Sequence, residues 1–176
     1  MVRSSRFTCV LDTCVIYPVE VRDVLLWFAY AGLYVPKWTS HIHREWDSVM
    51  QRKGISDSER LKRRERMDEA FPFARVSNYE PLIEQLELPD PDDRHVFAAA
   101  IKVNANLIIT ENLKDFPTDY LATFSLAAKT ADDFLADIVD LDPATALGAF
   151  NTHVSYRRDP DMDHFAVLDA IRRSQL

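Results

Sequence analysis

Short apolar segments typical of buried β-strands alternate along this chain with longer segments whose apolar residues recur at helical spacing. The clearest strand is residues 106–110 (NLIIT), and another apolar run, residues 6–11, ends at Asp12. This alternation predicts an α/β fold with a central, mainly parallel sheet. Further strands are predicted at residues 33–36, where Pro36 ends the segment, at 73–77 and, as an edge strand, at 124–129.

The predicted helices fill the intervals between these strands and continue beyond the last one. They cover residues 19–31, 40–52, 56–71, 80–86, 92–104, 117–122, 130–141, 143–156 and 163–174. At 176 residues, the chain is long enough for one domain with a substantial core. We therefore expect a main domain over residues 1–142 and a helical extension over 143–176, with a polar hinge at 157–163 (RRDPDMD).

Composition excludes several functional classes. With three glycines and no glycine-rich loop motif, the chain cannot form the usual phosphate cradles of dinucleotide-binding or P-loop proteins. Cys9 and Cys14 lie on one short segment, which indicates reduced thiols rather than a disulfide framework or a zinc motif. No segment approaches the length of a membrane span, so we expect a cytoplasmic protein without a membrane partner.

Acidic residues occur where strands or helices are predicted to begin or end. They are Asp12, Glu45, the pair Asp92 and Asp93, and Asp115. Singly, each has a structural explanation: an Asx turn, a helix cap or a solvated helix position. Asp12 and Asp115 follow strands whose carboxyl ends should meet at one edge of a parallel sheet. Carboxylates gathered there repel one another unless a divalent cation shares them, which favours a site for Mg²⁺ or Mn²⁺.

The charge distribution is compatible with a polyanionic substrate. The net charge of −7 argues at first against nucleic acid, but much of it lies in the predicted acidic pocket. Basic residues cluster elsewhere, at Arg60, Lys62, Arg63, Arg64 and Arg66, at Arg157 and Arg158, and at Arg172 and Arg173. The first run is either a solvated helix face or a surface that contacts a nucleic-acid backbone.

Histidines give a weaker signal. His41 and His43 form an H-x-H pattern that could suggest zinc, but no cysteine or further histidine lies nearby in register. We interpret both as solvent-facing helix residues. His95, next to Asp93, is interpreted as a structural histidine of a largely buried helix.

Four stretches in this order resemble the PIN-domain family, and in particular the nuclease toxins of VapC-type toxin–antitoxin pairs. They are VLDTCV, the helix start from Ser40 to Glu45, PDPDDRHVFAAAI and LIITENLKDFP, and the resemblance spans roughly residues 7–140. It implies a three-layer α/β/α fold with a central, mainly parallel sheet. It also implies that the chain is a ribonuclease that uses Mg²⁺ or Mn²⁺ to hydrolyse RNA.

The resemblance assigns roles to individual residues. Asp12, Glu45, Asp93 and Asp115 match the family's acidic metal-binding positions, with Asp12 and Asp93 as direct ligands. Glu45 and Asp115 would ligate the metal, act through water or position the nucleophile. Thr110 and Asn112 match the supporting polar pair, whereas Cys14 stands where the family often has Asn. The expected partners are RNA, contacted by Arg60, Lys62, Arg63 and Arg64, a cognate antitoxin laid across a hydrophobic groove, and a second copy of the chain.

Two other functional classes compete with this interpretation. A non-catalytic PIN-like module would bind RNA or a protein, but such a module has no reason to keep four mutually repelling carboxylates. A metal-dependent phosphatase with Asp12 as nucleophile usually has a second acid two residues later, and Cys14 occupies that position.

Overall fold

A computed structural model describes residues 7–157 and 162–174. The strands in this part of the chain are β1 (Thr8–Leu11), β2 (Val35–Thr39), β3 (Arg75–Val76), β4 (Leu107–Ile109) and β5 (Ala127–Lys129). The α-helices in the same residues are α1 (Thr13–Ile16), α2 (Val19–Tyr30), α3 (Ser40–Arg52), α4 (Asp57–Ala70), α5 (Glu80–Ile83), α6 (Arg94–Lys102), α7 (Thr118–Ala122), α8 (Ala131–Leu141), α9 (Pro143–Tyr156) and α10 (His164–Ser174). Short 3-10 helices lie at Pro91–Asp93 and Leu113–Asp115.

All the strands are parallel, in the order β3-β2-β1-β4-β5, so the predicted α/β fold with a central parallel sheet is confirmed. The chain builds outward from β1 to β2 and β3, and then crosses back to place β4 on the other side of β1. The strand order therefore reverses between β1 and β4. In open α/β sheets, ligands bind in the crevice at the carboxyl ends of the strands at such a reversal.

One part of the core lies between the central strands and α6, and buried residues of α2 and α8 continue it. Val10 of β1 and Ile108 of β4 are fully buried, and α6 packs against β1, β2 and β4. Ala98, Ala99 and Ala100 of α6 are also fully buried, as the alanine-rich sequence predicted. Small side chains let this helix approach the sheet closely, and its amino-terminal end fixes the position of the acidic segment that precedes it.

Threonine hydroxyl groups cap two of the helices. Thr39 accepts a hydrogen bond from the Ile42 amide at 3.0 Å and begins α3, while the Thr130 hydroxyl accepts one from the Asp133 amide at 3.1 Å and begins α8. These side chains satisfy amide groups that have no partner within the helix.

The predicted end of β2 at Pro36 is wrong, because the strand runs from Val35 to Thr39 with Pro36 paired to Cys9 in the register. Trp38, two residues later, donates its amide to the Ala74 carbonyl on the β3 side. Alternate residues of a strand point their amides to the same side, so the Pro36 nitrogen faces that side before β3 begins. A proline costs no ladder hydrogen bond there.

The carboxyl-terminal helices pack on the main domain. α9 contacts α2 and α8, and the ring centroids of Tyr156 and Trp27 lie 5.1 Å apart. The Asp142 side chain caps α9 directly after α8, so the boundary predicted after residue 142 falls at a tight turn and stays a prediction. Residue 6 of the predicted strand and residues 158–161 of the predicted hinge lie outside the described residues. No described helix has both the length and the apolar character needed to cross a membrane.

Candidate metal centre

Asp12 lies at the carboxyl end of β1, where its backbone and side chain are both held. Its amide donates to the Ile109 carbonyl at 3.0 Å, which ties it to the end of β4. One carboxylate oxygen, Oδ1, accepts from the Thr13 amide at 2.6 Å and starts α1, a helix that the sequence did not predict. The other, Oδ2, accepts from the Thr110 hydroxyl at 2.8 Å. Asp12 is therefore a buried, oriented carboxylate at the point where the strand order reverses.

Asp93, Asp115 and Asp90 bring three more carboxylates together. One oxygen of each lies within 4.8 Å of an oxygen of the others. Asp115 is buried in the 3-10 helix after β4, while Asp93 ends the 3-10 helix before α6. Asn112 donates its side-chain amide to Asp93 Oδ2 at 3.2 Å and so links the two segments.

Glu45, on α3, joins the same region through the residue after Asp12. Its Oε2 accepts from the Thr13 hydroxyl at 2.5 Å, and its Oε1 lies 2.9 Å from His95 Nε2. Burial alone would raise the pKa of Glu45, but hydrogen bonds from His95 and Thr13 outweigh it and lower the pKa. Glu45 is thus held ionised, with both oxygens engaged.

An open cavity of about 420 Å³ connects these groups. Its lining includes the predicted site residues Asp12, Glu45, Asp93 and Asn112. Two predicted residues do not line the cavity. The Asp115 carboxylate lies within 4.8 Å of that of Asp93, and the buried Thr110 hydroxyl donates to Asp12. The structure therefore places the four predicted acids and the predicted polar pair in one region, although they are spread over a hundred positions of the sequence.

The electrostatics of the cluster favour a bound cation. The pKa of Asp93 is raised from 3.8 to about 6, first by burial and then by repulsion from three neighbouring carboxylates. These belong to Asp12, Asp90 and Asp115. A protein that keeps such a repulsive arrangement loses stability unless positive charge offsets it.

The donor set fits the predicted divalent metal. The ligand atoms that converge on Asp93 are carboxylate oxygens, which suit hard cations such as Mg²⁺ or Mn²⁺ better than softer metals. The residues that would hold the cation are Asp12, Asp93 and Asp115. Asp90 adds a fourth carboxylate, and its Oδ1 also accepts from the Asp92 amide at 2.9 Å. Asp92 itself lies outside this cluster of carboxylates.

Cys14 supplies contacts at the position where the resemblance predicts asparagine. Its thiol lies 3.3 Å from Asp12 Oδ2 and 3.4 Å from the Thr110 hydroxyl, and it accepts the Glu111 amide at 3.2 Å. Burial and the Asp12 charge raise the pKa of this thiol to about 12. Cys14 therefore supports the acidic site as a neutral thiol.

We expect both cysteines to resist alkylation in the folded protein. Burial also raises the pKa of Cys9 to about 12, so at pH 8 each thiol has on the order of a thousandth of the thiolate fraction of a free cysteine. Iodoacetamide labelling followed by mass spectrometry measures this directly. Full labelling in denaturant is the control, and rapid labelling of Cys14 in the native protein would contradict the described burial.

Ion pairs engage most of the basic residues predicted to contact the substrate. Arg60 is buried, with ion pairs to Asp47 at 3.1 Å and Asp57 at 2.8 Å, and Arg64 also reaches Asp47 at 3.4 Å. Arg63 pairs with Glu59 at 3.0 Å, whereas Lys62 is exposed. None of these four side chains lines the acidic cavity, so their contact with substrate stays a prediction for RNA that extends beyond the cavity.

The sequence did not predict roles in this site for four residues: Thr13, Asp90, His41 and His95. Thr13 bridges Asp12 and Glu45, a role that its position directly after Asp12 could have suggested. Asp90 approaches Asp115 only because of the turn at Pro91, which its position in the sequence does not reveal. The histidines depend on a contact between α3 and α6 that no local pattern predicts.

A larger cavity of about 740 Å³ lies away from the acidic cluster. Side chains from α2, α4 and α9 line it, among them the aromatic residues Trp27, Tyr30 and Tyr156. Its rim carries Arg22, Arg63 and Arg66 together with Asp23 and Glu59, which pair with the first two arginines. It contains none of the predicted metal ligands, so its chemistry is that of an apolar groove with a charged rim.

Known families match both parts of the chain. A family model described as PIN domain matches residues 8–114, and one described as VapC50 C-terminal domain matches residues 131–176. The second match begins at the start of α8, ahead of the boundary predicted at residue 143. A protein of Mycobacterium tuberculosis named "Putative ribonuclease VapC50" is 40% identical over 83 residues, which cover 45% of this chain and 47% of that protein. The chain thus spans about half the length of this curated relative.

Proposed function

The chain belongs to the PIN-domain family, and from this premise we propose that it is a metal-dependent endoribonuclease, the toxin of a type II toxin–antitoxin pair. The observation that carries the proposal is the convergence of the Asp90, Asp93 and Asp115 carboxylates, with the charge of Asp12 close enough to raise the pKa of Asp93, where the strand order reverses. The relative named as a ribonuclease adds support over its aligned half. Because the substrate is RNA, we place its action in the cytoplasm.

The carboxylates would hold Mg²⁺ or Mn²⁺, and each has a distinct support. Asp12 is fixed by donors on both oxygens, and Asp93 is fixed by Asn112. A divalent cation bound there supplies a water of lowered pKa and offsets charge on the scissile phosphate. Preorganised ligands need no reorganisation during the reaction, which is why the supporting hydrogen bonds of Thr110 and Asn112 belong to the proposal.

Glu45 and the cavity rim complete the proposed site. Glu45 is ionised and faces the cavity, so it can orient a water or accept a proton from it. Arg52 is the exposed cationic side chain of the lining and can contact a phosphate next to the scissile one. Tyr17 offers an aromatic face at the same rim, on which an unpaired base can stack.

Paired oligonucleotides test the substrate class. Purified protein is incubated with a single-stranded RNA, the DNA of the same sequence, and a total RNA pool, each with Mg²⁺, Mn²⁺ or EDTA. We expect discrete RNA products with either metal, no products with EDTA and little cleavage of DNA. Cleavage of neither nucleic acid, together with RNA binding that EDTA does not weaken, would instead favour the non-catalytic binding module.

We propose that the antitoxin binds in the apolar groove. Its aromatic lining suits the apolar face of an amphipathic helix, and Arg66, which forms no ion pair within the described residues, suits an acidic residue on that helix. Tyr30 is 71% exposed on this groove, which leaves a large apolar surface available to a partner. A second copy of the chain is the other proposed partner, and native mass spectrometry of the isolated chain distinguishes the two.

Tyr30→Asp is expected to abolish antitoxin protection while RNA cleavage by the isolated chain stays unchanged. A buried, unpaired carboxylate in the complex would weaken binding by about a hundredfold. Co-expression of each variant with a candidate antitoxin, followed by growth assay and co-purification, measures the effect. Phe165→Asp, at a residue that is 81% exposed and outside the groove, is the matched control. Equal protection of both variants would place the antitoxin elsewhere.

A further inference from the structure

We propose that His41, Glu45 and His95 form a binding site for a transition metal such as Zn²⁺, separate from the site for the hard cation. Ligand atoms of the three side chains lie within 4.8 Å of one another. The sequence had argued against zinc because no third ligand was close to His41 and His43. The fold supplies that ligand from α6, and it pairs with His41 rather than His43.

Both imidazole rings point one nitrogen at the same carboxylate oxygen. His95 Nε2 lies 2.9 Å from Glu45 Oε1, and His41 Nε2 lies 3.9 Å from it. The two rings stack with centroids 3.8 Å apart and planes 12° apart, so their nitrogens are presented side by side. Stacking at this distance disfavours a charge on both rings. A cation between the nitrogens and the carboxylate would engage all three groups once the partly exposed His41 ring turns, because an imidazole lone pair lies in the plane of its ring.

The other histidine of the H-x-H pattern is used differently. His43 is buried, stacks on Trp38 with centroids 6.0 Å apart, and lies 3.3 Å from Arg75. It therefore points into the protein, and its interpretation as a solvent-facing residue is wrong. His41 is partly exposed at the start of α3, and this exposure gives a metal its path to the site.

The ligand set differs in chemistry from the acidic cluster. Two imidazole nitrogens with one carboxylate suit Zn²⁺ and other borderline metals, and three protein ligands leave a coordination position open. His95 is only 3% exposed and is held in place by α6, so one ligand is preorganised.

Glu45 belongs to both sites, and this overlap implies regulation. A transition metal on Glu45 Oε1 would draw that carboxylate away from the acidic cavity and replace its negative charge with a net positive one. We therefore expect Zn²⁺ to inhibit the nuclease. This consequence rests on the proposed function, whereas binding of the metal does not.

Metal binding is measured without reference to activity. Chain stripped with EDTA is titrated with Zn²⁺ against a chromophoric competitor in a large excess of Mg²⁺, and Co²⁺ is titrated by its visible absorption. We expect one equivalent to bind, and His41→Ala to weaken binding by on the order of tenfold or more. His164→Ala, at a histidine of α10 outside the cluster, is the matched control and should bind as the wild type does.

A second variant separates the two metal sites. Asp93→Asn removes a ligand of the acidic cluster and should leave Zn²⁺ affinity within about twofold. Equal Zn²⁺ binding by wild type and His41→Ala would overturn the proposed site, as would loss of binding in Asp93→Asn. For the regulatory consequence, Zn²⁺ should slow RNA cleavage in wild type and not in His41→Ala; an equal response of both would refute it. If the chain cleaves no RNA, the binding titration still decides the site.

Discussion

Asp12→Asn is expected to slow RNA cleavage by about a thousandfold while leaving the fold intact. The substitution keeps the shape of the side chain and an oxygen that can accept the Thr13 amide. It removes the charge that would hold the divalent cation, and it places an amide group opposite the Thr110 hydroxyl, which can turn to accept from it. The expected loss is therefore in the reaction rather than in folding.

Single-turnover cleavage of a defined RNA by wild type and Asp12→Asn measures this effect. Asp132→Asn, at an exposed position in the first turn of α8, is the matched control, because it removes the same charge away from the cavity. Circular dichroism should superimpose for all three proteins. If Asp12→Asn kept more than about a tenth of the wild-type rate, Asp12 would not hold a cation that the reaction needs.

Asp93→Asn is expected to make the metal-free protein more stable and the metal-bound protein inactive. The pKa of Asp93 is about 6 in the folded protein against an ordinary 3.8, so the folded state holds this proton more tightly than the unfolded state does. Stability of the metal-free wild type should therefore fall as the pH rises from about 4 to about 6 and then stay level. A neutral amide at this position would remove that penalty, by about 1 kcal/mol once solvent screening of a half-buried carboxyl is considered.

Thermal unfolding with and without Mn²⁺ gives the readout. In EDTA at pH 7, Asp93→Asn should melt about 2–4 °C above the wild type. With Mn²⁺, only the wild type should gain stability, because the variant lacks a ligand. Cleavage should fall by about the same factor as in Asp12→Asn. A variant less stable than the wild type in EDTA would show that Asp93 stabilises the apo fold, contrary to the described repulsion.

Local signals allowed much of the fold to be predicted from the sequence. The alternation of apolar runs and helical segments specified the parallel sheet, and the helix predicted over residues 40–52, which Thr39 caps, has those bounds in the structure. A cap acts over three residues, and a buried strand such as the one ending at Ile109 is apolar throughout. Each signal therefore lies within a few positions of the feature that it predicts.

The remaining features depend on contacts between distant segments. His95 meets Glu45 across 50 positions, and Asp90 approaches Asp115 only because a turn at Pro91 directs it there. Arg60 seemed as available to substrate as Lys62, since a run of charges does not reveal that Asp47 of the preceding helix pairs with one of them. Tertiary packing decides such pairings, and one sequence carries no record of it.

The most direct test of the central claim is to titrate Mg²⁺ back into EDTA-stripped protein while cleavage of a total RNA pool is followed. The proposed metal dependence predicts no cleavage in EDTA, and discrete RNA products whose rate of formation rises with Mg²⁺ and saturates. The thermal stability of the same sample should rise at the same half-saturating concentration, because the carboxylates of Asp12, Asp93 and Asp115 serve both effects. Cleavage that persists in EDTA, or Mg²⁺-dependent stabilisation with no cleavage of any RNA, would contradict it.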